Sequence, residues 1–271
     1  MIGICTDSNS QLPATLVERY DVEVVPVTVT VDDTDYLEGV DLDPDGFYEM
    51  LSAPQRPVVS TSPPSSGQFA AAYESLLQRG CDEILSIHVA ATASGTLNSA
   101  RLATRSLPVP VRLVDSGTAG FGVSCCVWAA GEAVAHGATL DEAVQCVELL
   151  APNIGTVFVV GQPEFVGAGK VTSPTGVPVV AVHAGRLDIV ANVTSRIEAI
   201  EAMTTTVVGW GPRLNVAVGL SDRAGEPFMQ SLAEALHEPA NILEVMPYRI
   251  GPSVGAYAGP GTVACFMFPA V

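Results

Sequence analysis

Basic residues are scarce in this chain of 271, which carries 12 Lys and Arg against 29 Asp and Glu, a formal charge of −17. Nucleic-acid binding draws mainly on Lys and Arg displacing counterions, and no basic stripe is present, so no nucleic-acid partner is expected. Long apolar runs are missing too: the most apolar helix expected, Phe121 to Ala135, is broken by Gly, Ser and Glu and is too short to span a bilayer. The opening Met-Ile-Gly-Ile-Cys-Thr-Asp has no basic segment and reads directly into a strand, so no secretory signal is expected. Six cysteines (Cys5, Cys81, Cys125, Cys126, Cys146, Cys265) include no C-x-x-C pair, which suits neither a zinc site nor a disulfide framework. Buried thiols in a reducing cytoplasm are the expectation.

Familiar catalytic motifs are absent as well. Ala168-Gly169-Lys170-Val171 has the Gly-Lys of a phosphate-binding loop, but Glu164 stands where the first Gly is required and Val171 where Ser or Thr would hold magnesium. Ser94 looks like a nucleophile, yet Thr92 and Thr96 occupy both glycine positions of G-x-S-x-G, so a serine hydrolase using Ser94 stands as an alternative. His88, His136, His183 and His237 are scattered without metal spacing, and His88 in its apolar strand reads as a satisfied core histidine. Asp7 and Asp115 fall at strand ends, where Asp more often caps a loop than performs acid–base chemistry.

What is abundant is apolar material, 48% of residues, enough for one large core or two modest ones. Ile2 to Thr6 reads as a strand, followed by a helix with Pro13 in its first turn. Val22 to Val31 reads as one long strand returning as a ribbon through Tyr36 and Leu37, and Asp43-Pro44 caps a helix carrying Phe47, Tyr48 and Leu51. Helix Gln68 to Arg79, strand Glu83 to Val89, a helix from Gly95, strand Val111 to Val114 and helices Phe121 to Ala135 and Leu140 to Leu150 follow. Such alternation implies a largely parallel sheet with helices on both faces.

Beyond Pro152 the texture changes to mixed α/β. Strands are expected at 156–160, 177–183, 187–191, 214–220 and 242–246, with a hairpin turn at Ala184-Gly185, helices at 195–205 and 227–237, and paired strands near the end. The expected division is therefore an N-terminal domain, 1–152, and a C-terminal mixed α/β domain, 153–271. Gly255 to Gly261 reads as a turn or as a loop admitting close backbone approach.

Two hydroxyl-rich helix entrances stand out, Ser60-Thr61-Ser62-Pro63-Pro64-Ser65-Ser66 and Ala93-Ser94-Gly95-Thr96. Both fall where strand carboxyl ends meet helix amino ends, the place where open α/β sheets bind ligands, and small hydroxyls there suit an acidic or phosphorylated ligand. The same residues serve as ordinary caps, so that reading stays open beside it.

Thr6-Asp7-Ser8 with Leu12-Pro13, Val25-Pro26-Val27, Thr61-Ser62-Pro63-Pro64-Ser65, Leu85-Ser86-Ile87, Ser94-Gly95-Thr96 with Ser99-Ala100, Val114-Asp115-Ser116 and Gly259-Pro260-Gly261 together resemble the DegV proteins. These are the fatty-acid-binding subunits of bacterial fatty acid kinases. The resemblance runs nearly end to end, and it implies a two-domain α/β fold with a long-chain fatty acid buried between the domains. By the same resemblance the protein is cytoplasmic, has no catalytic activity or cofactor of its own, and presents the carboxylate to an ATP-dependent kinase catalytic subunit in phospholipid metabolism. Carried over, Thr61 and Ser94 take the places of the carboxylate-binding hydroxyls, with Ser62, Gly95 and Thr96 beside them. Tyr257 stands where the family has a histidine, and a phenol donates one hydrogen bond but never becomes a cation. Lys170 replaces an arginine, keeping charge and losing the bidentate fork, and it and Arg196 are the expected kinase-facing residues. A sensor or carrier for another small acidic ligand is the remaining alternative.

Overall fold

In the computed structural model, which describes residues 1–161, 176–183 and 185–270, the chain enters on β1 (Ile2–Asp7), turns through Ser8–Ser10 and continues into α1 (Ala14–Tyr20). It then forms β2 (Glu23–Val25), β3 (Thr28–Val31), β4 (Thr34–Leu37), α2 (Pro44–Leu51), β5 (Val59–Ser62), α3 (Ser66–Gln78) and β6 (Glu83–His88). Next come α4 (Thr96–Ala103), β7 (Val111–Asp115), α5 (Phe121–Ala135) and α6 (Leu140–Leu150). After 152 follow β8 (Gly155–Val159), β9 (Val177–His183), β10 (Arg186–Val193), α7 (Arg196–Val208), β11 (Leu214–Leu220), α8 (Glu226–His237), β12 (Ile242–Arg249), α9 (Pro252–Ala258) and β13 (Val263–Pro269). Two compact units result, one of residues 1–41 and 59–152, the other of residues 42–58 and 153–270. A single cut near 152 leaves 42–58 with the N-terminal domain, whereas in the structure this stretch packs within the second unit.

The first unit holds an all-parallel sheet in the order β2-β1-β6-β7 and a three-stranded antiparallel sheet, β4-β3-β5. The long strand expected over 22–31 is two strands in two sheets, because Pro26 has no N–H to donate to a ladder. Strand alternation decides which side chains meet which helices. Cys5 and Ile84 share a core with Phe69, Tyr73 and Leu76 of α3 and Ala100 of α4, while Ile4, Leu85 and Ile87 are buried on the opposite face. The chain is held tightly here: a side chain at Gly3 would meet the Cys81 sulfur at 2.9 Å. Caps fall where sequence placed them. Ser65 with Gln68 and Thr139 with Glu142 form capping boxes, and Asp43 accepts from Gly46 N at 2.8 Å.

The second unit is built on a six-stranded mixed sheet, β10-β9-β8-β13-β11-β12, in which β11 and β12 are parallel and the other pairs antiparallel. Its core gathers Val157, Val216, Val218, Met203 of α7 and Leu232 and Leu236 of α8. The hairpin falls where expected, although Ala184 of its turn lies outside the described residues. The last strands differ from expectation: beyond β12, where paired strands are expected, α9 and the single strand β13 follow, and β13 inserts between β8 and β11. The Gly-rich stretch is thus mostly helix, ended by Gly259 at φ +73°. Close approach occurs one turn later, where a side chain at Gly261 would meet Gly161 Cα at 2.9 Å.

Within this unit Asp45 on α2 accepts from Arg249 at 2.7 Å and from Arg223 at 2.5 and 3.0 Å. Arg249, then Arg223, hold the Asp45 carboxyl below its ordinary range. The unfolded chain therefore takes up this proton first, so the contribution to stability is complete above about pH 4 and is lost as pH falls through the lowered folded value. Asp45→Asn is expected to lower the urea midpoint at pH 7 and to reduce the difference between midpoints at pH 7 and pH 3.

Candidate functional site

The carboxyl edge of the parallel sheet collects the polar residues of the first unit. β1 ends at Asp7 and β6 at His88, whose chain passes into the 89–95 loop; β7 ends at Asp115. Asp115 accepts from Ala91 N at 3.2 Å and Gly117 N at 3.0 Å, so it closes loops and forms no pair with Asp7. Ala90 N donates to Thr118 O at 2.8 Å, and the N–H groups of Ala93 and Ser94 both donate to Ala90 O. These bonds set the turn that carries Ser94.

Ser94 Oγ and Thr96 Oγ1 lie 2.8 Å apart, and Thr96 N donates to Ser94 Oγ at 3.3 Å. Gly95 is the residue before α4 and brings no side chain to cap it. A side chain at Gly95 would meet Pro63 Cγ at 3.5 Å, which places the Thr61-Ser62-Pro63 end of β5 beside the Ser94 turn. Thr61 is partly buried, Ser62 and Gly95 are exposed, Ser94 is partly buried and Thr96 is fully buried. Antiparallel pairing with Val29 fixes Thr61 on β5. The structure thus brings Ser94, Gly95 and Thr96 together with the Thr61-Ser62 strand end inside one unit. Of the two touching hydroxyls only one proton is used in their mutual bond, so one remains to donate to an acceptor.

The other expected site residues lie elsewhere in the chain. Tyr257 is on α9 of the second unit and is 69% exposed. Arg196 is exposed at the start of α7, and Lys170 lies outside the described residues.

Beneath the Ser94 turn runs a polar chain that sequence reading left as unconnected residues. Tyr73 OH lies 2.9 Å from Ser86 Oγ, Ser86 Oγ 2.7 Å from His88 Nε2, and His88 Nδ1 2.9 Å from Asp7 Oδ2. All four residues are fully buried, and burial pushes the Tyr73 phenol up, keeping it a donor. Asp7 also accepts from Asn9 N at 3.1 Å and Val89 N at 3.4 Å. The reading of His88 as a satisfied core histidine agrees with these contacts; alternation puts 86 and 88 on one face of β6, and only the parallel pairing of β1 with β6 brings Asp7 to them. Glu38, buried and unremarked in sequence, accepts from Ser8 Oγ at 2.5 Å and from Gln11 Nε2 at 3.3 Å.

Asp7, His88 and Ser86 have the order of a hydrolytic triad, but burial keeps them from any substrate. Among the described residues no histidine shares a hydrogen bond with Ser94: His88 faces Ser86 and Asp7, His136 and His237 bond carbonyls of their own helices, and His183 stacks on Trp210. Among the described residues, too, no three His, Cys, Asp or Glu side chains cluster as metal ligands, and no helix is long and apolar enough to cross a membrane.

These features define a two-unit α/β protein, one parallel-sheet unit with a hydroxyl-lined strand edge and one mixed-sheet unit. The chain belongs to the DegV family: the family's sequence model, described as an uncharacterised protein family, matches residues 1–270. A DegV domain-containing protein of Streptomyces coelicolor is 29% identical over 270 residues, covering 96% of this chain and 95% of its own. A DegV family protein from Thermus thermophilus, described for its fatty acid binding, superposes with a TM-score of 0.86 at 25% identity over 99% of both chains. A stearic acid-binding protein from Eubacterium ventriosum reaches a TM-score of 0.84 over 99% of this chain and 98% of its own. At 20% identity that last likeness is one of fold.

A serine-reactive fluorophosphonate is expected to leave this protein unlabelled at Ser94, as intact-mass and peptide mass spectrometry will show, because among the described residues no histidine bonds that hydroxyl.

Proposed function

We propose that this protein is a fatty-acid carrier, without catalytic activity of its own, that holds a long-chain acid by its carboxylate for a separate ATP-dependent kinase. The observation that carries the reading is the meeting of the Ser94-Gly95-Thr96 turn with the Thr61-Ser62-Pro63 strand end. A carboxylate taken from water must be hydrogen-bonded or it neutralises. Thr61, Ser62 and Ser94 offer hydroxyls for that purpose, the buried Thr96 hydroxyl holds Ser94 Oγ in place, and the dipole at the start of α4 favours an anion. Family membership and the fatty acid binding of the Thermus thermophilus relative support the same ligand.

An acyl tail supplies the affinity. At about 0.8 kcal/mol per buried methylene, roughly sixteen carbons contribute about 12 kcal/mol before ordering costs. The polar end then has to orient the acid rather than bind it alone. In the kinase step one carboxylate oxygen bonds the γ-phosphorus of ATP, the bond from that phosphorus to the β–γ bridging oxygen breaks, and acyl phosphate and ADP result. On this reading the protein works in the cytoplasm and its acyl phosphate feeds phospholipid metabolism. By the family's pattern Tyr257 is a further candidate donor, and Lys170 and Arg196 are the candidate kinase-facing residues.

Protein purified from a bacterial host, denatured and extracted, is expected to release a long-chain fatty acid on mass spectrometry. A short polar acid in its place supports a carrier for another acidic ligand, and no acid of any kind removes the proposal. Ser94→Ala and Thr61→Val are each expected to weaken fatty-acid binding by about tenfold, the worth of one hydrogen bond to a charged group. Titration with a fluorescent fatty-acid analogue measures the change, and unchanged affinity in both removes those hydroxyls from the site.

A further inference from the structure

The buried chain Tyr73–Ser86–His88–Asp7 touches neither hydroxyl of the proposed site, yet both segments that bear those hydroxyls are tied to it. At one end Asp7 accepts from Val89 N, the first residue of the loop that climbs through Ala90 to Ser94. At the other end Tyr73 sits on α3, the helix that begins directly after the Thr61-to-Ser65 stretch. We propose that Tyr73, Ser86, His88 and Asp7 are positioning residues, a single hydrogen-bonded chain that sets the distance between the Thr61-Ser62 strand end and the Ser94 turn and so the site's selectivity for a carboxylate. This rests on the fatty-acid reading above.

Three physical points carry it. An ionised Asp7 only accepts, so His88 Nδ1 carries the hydrogen; in the neutral imidazole Nε2 then accepts from Ser86, and Ser86 accepts from Tyr73. Every polar atom along the line is thus hydrogen-bonded with its donor or acceptor role fixed, which gives the chain a single direction. Secondly, four fully buried polar side chains on the face that also holds Phe69, Leu76 and Ile84 are costly beside an apolar packing of equal volume. A fully satisfied network in that place specifies one arrangement where apolar side chains would accept several. Thirdly, the 89–95 segment has no strand or helix of its own to hold it. Its position depends on the bond from Val89 N to Asp7 at its base together with those from Ala90 N to Thr118 O and from Ala91 N to Asp115, and sites need their polar groups held to about half an ångström.

The test compares binding of oleate and of oleyl alcohol, which share a tail and differ at the head, to delipidated wild type, Tyr73→Phe, His88→Leu and His88→Asn, with thermal unfolding as the check on folding. Oleate affinity is expected to fall about three- to tenfold in Tyr73→Phe and further in His88→Leu, with oleyl alcohol changed by less than about twofold. His88→Asn, which keeps a donor facing Asp7, is expected to recover part of the loss. Equal losses for acid and alcohol assign these residues to folding alone and overturn the inference, as does an unchanged oleate affinity in Tyr73→Phe. Should His88→Leu fail to fold, Tyr73→Phe decides, since it removes one oxygen and leaves the ring in place. Wild type that binds neither lipid overturns the fatty-acid reading and this one with it. Wild type that binds oleate, with the acid-to-alcohol ratio unmoved in the variants, overturns only the positioning role.

Discussion

Each strand of a parallel sheet must release its chain at the same edge, and the N–H groups left there, in an otherwise apolar interior, have to find acceptors. In this protein that constraint is met by short side chains and turns. Asp7 meets Asn9 and Val89, Asp115 meets Ala91 and Gly117, and Ser94 meets Thr96. The polar edge is therefore first a condition of folding the sheet. What remains over is one hydroxyl proton of the Ser94–Thr96 pair.

The same constraint bears on how the proposed acid ligand would be held by a chain so poor in cations. With 12 basic residues against 29 acidic, the protein's overall field repels an anion, and a Lys or Arg buried among apolar side chains would itself need a partner. Hydroxyls avoid that cost because they are satisfied by one another until an acceptor arrives, as Ser94 and Thr96 are. In the proposed function, selectivity rests on where those hydroxyls stand, and so on the scaffold beneath the loop.

The second unit solves a different problem. Helix α2 reaches it from far back in the chain, leaving the first unit after residue 41 and returning at 59. It is fastened by close packing, with no room for a side chain at Gly255 because Tyr48 OH would lie 2.4 Å away. Asp45 between Arg223 and Arg249 adds an ionic clasp at a partly exposed position. Such pairs contribute register more than energy.

Sequence by itself determined what depends on near neighbours. Periodicity placed most of the helices to within a few residues while missing α9, Asp43 announced its cap, and the hydroxyl clusters at Thr61 and Ser94 marked strand ends. The family likeness rested on such local motifs. What needed the tertiary structure was every choice between distant partners: that Pro26 splits one apolar run between two sheets, that residues 42–58 pack with the second unit, and that β13 slots between β8 and β11. It also decided that Asp7 and His88, 81 positions apart, close a chain with Ser86 and Tyr73. Period-two alternation says which face a residue shares but not which strand will lie beside it, because strand order is set by the packing of whole layers. The physical link between the two hydroxyl clusters was invisible until that packing was known.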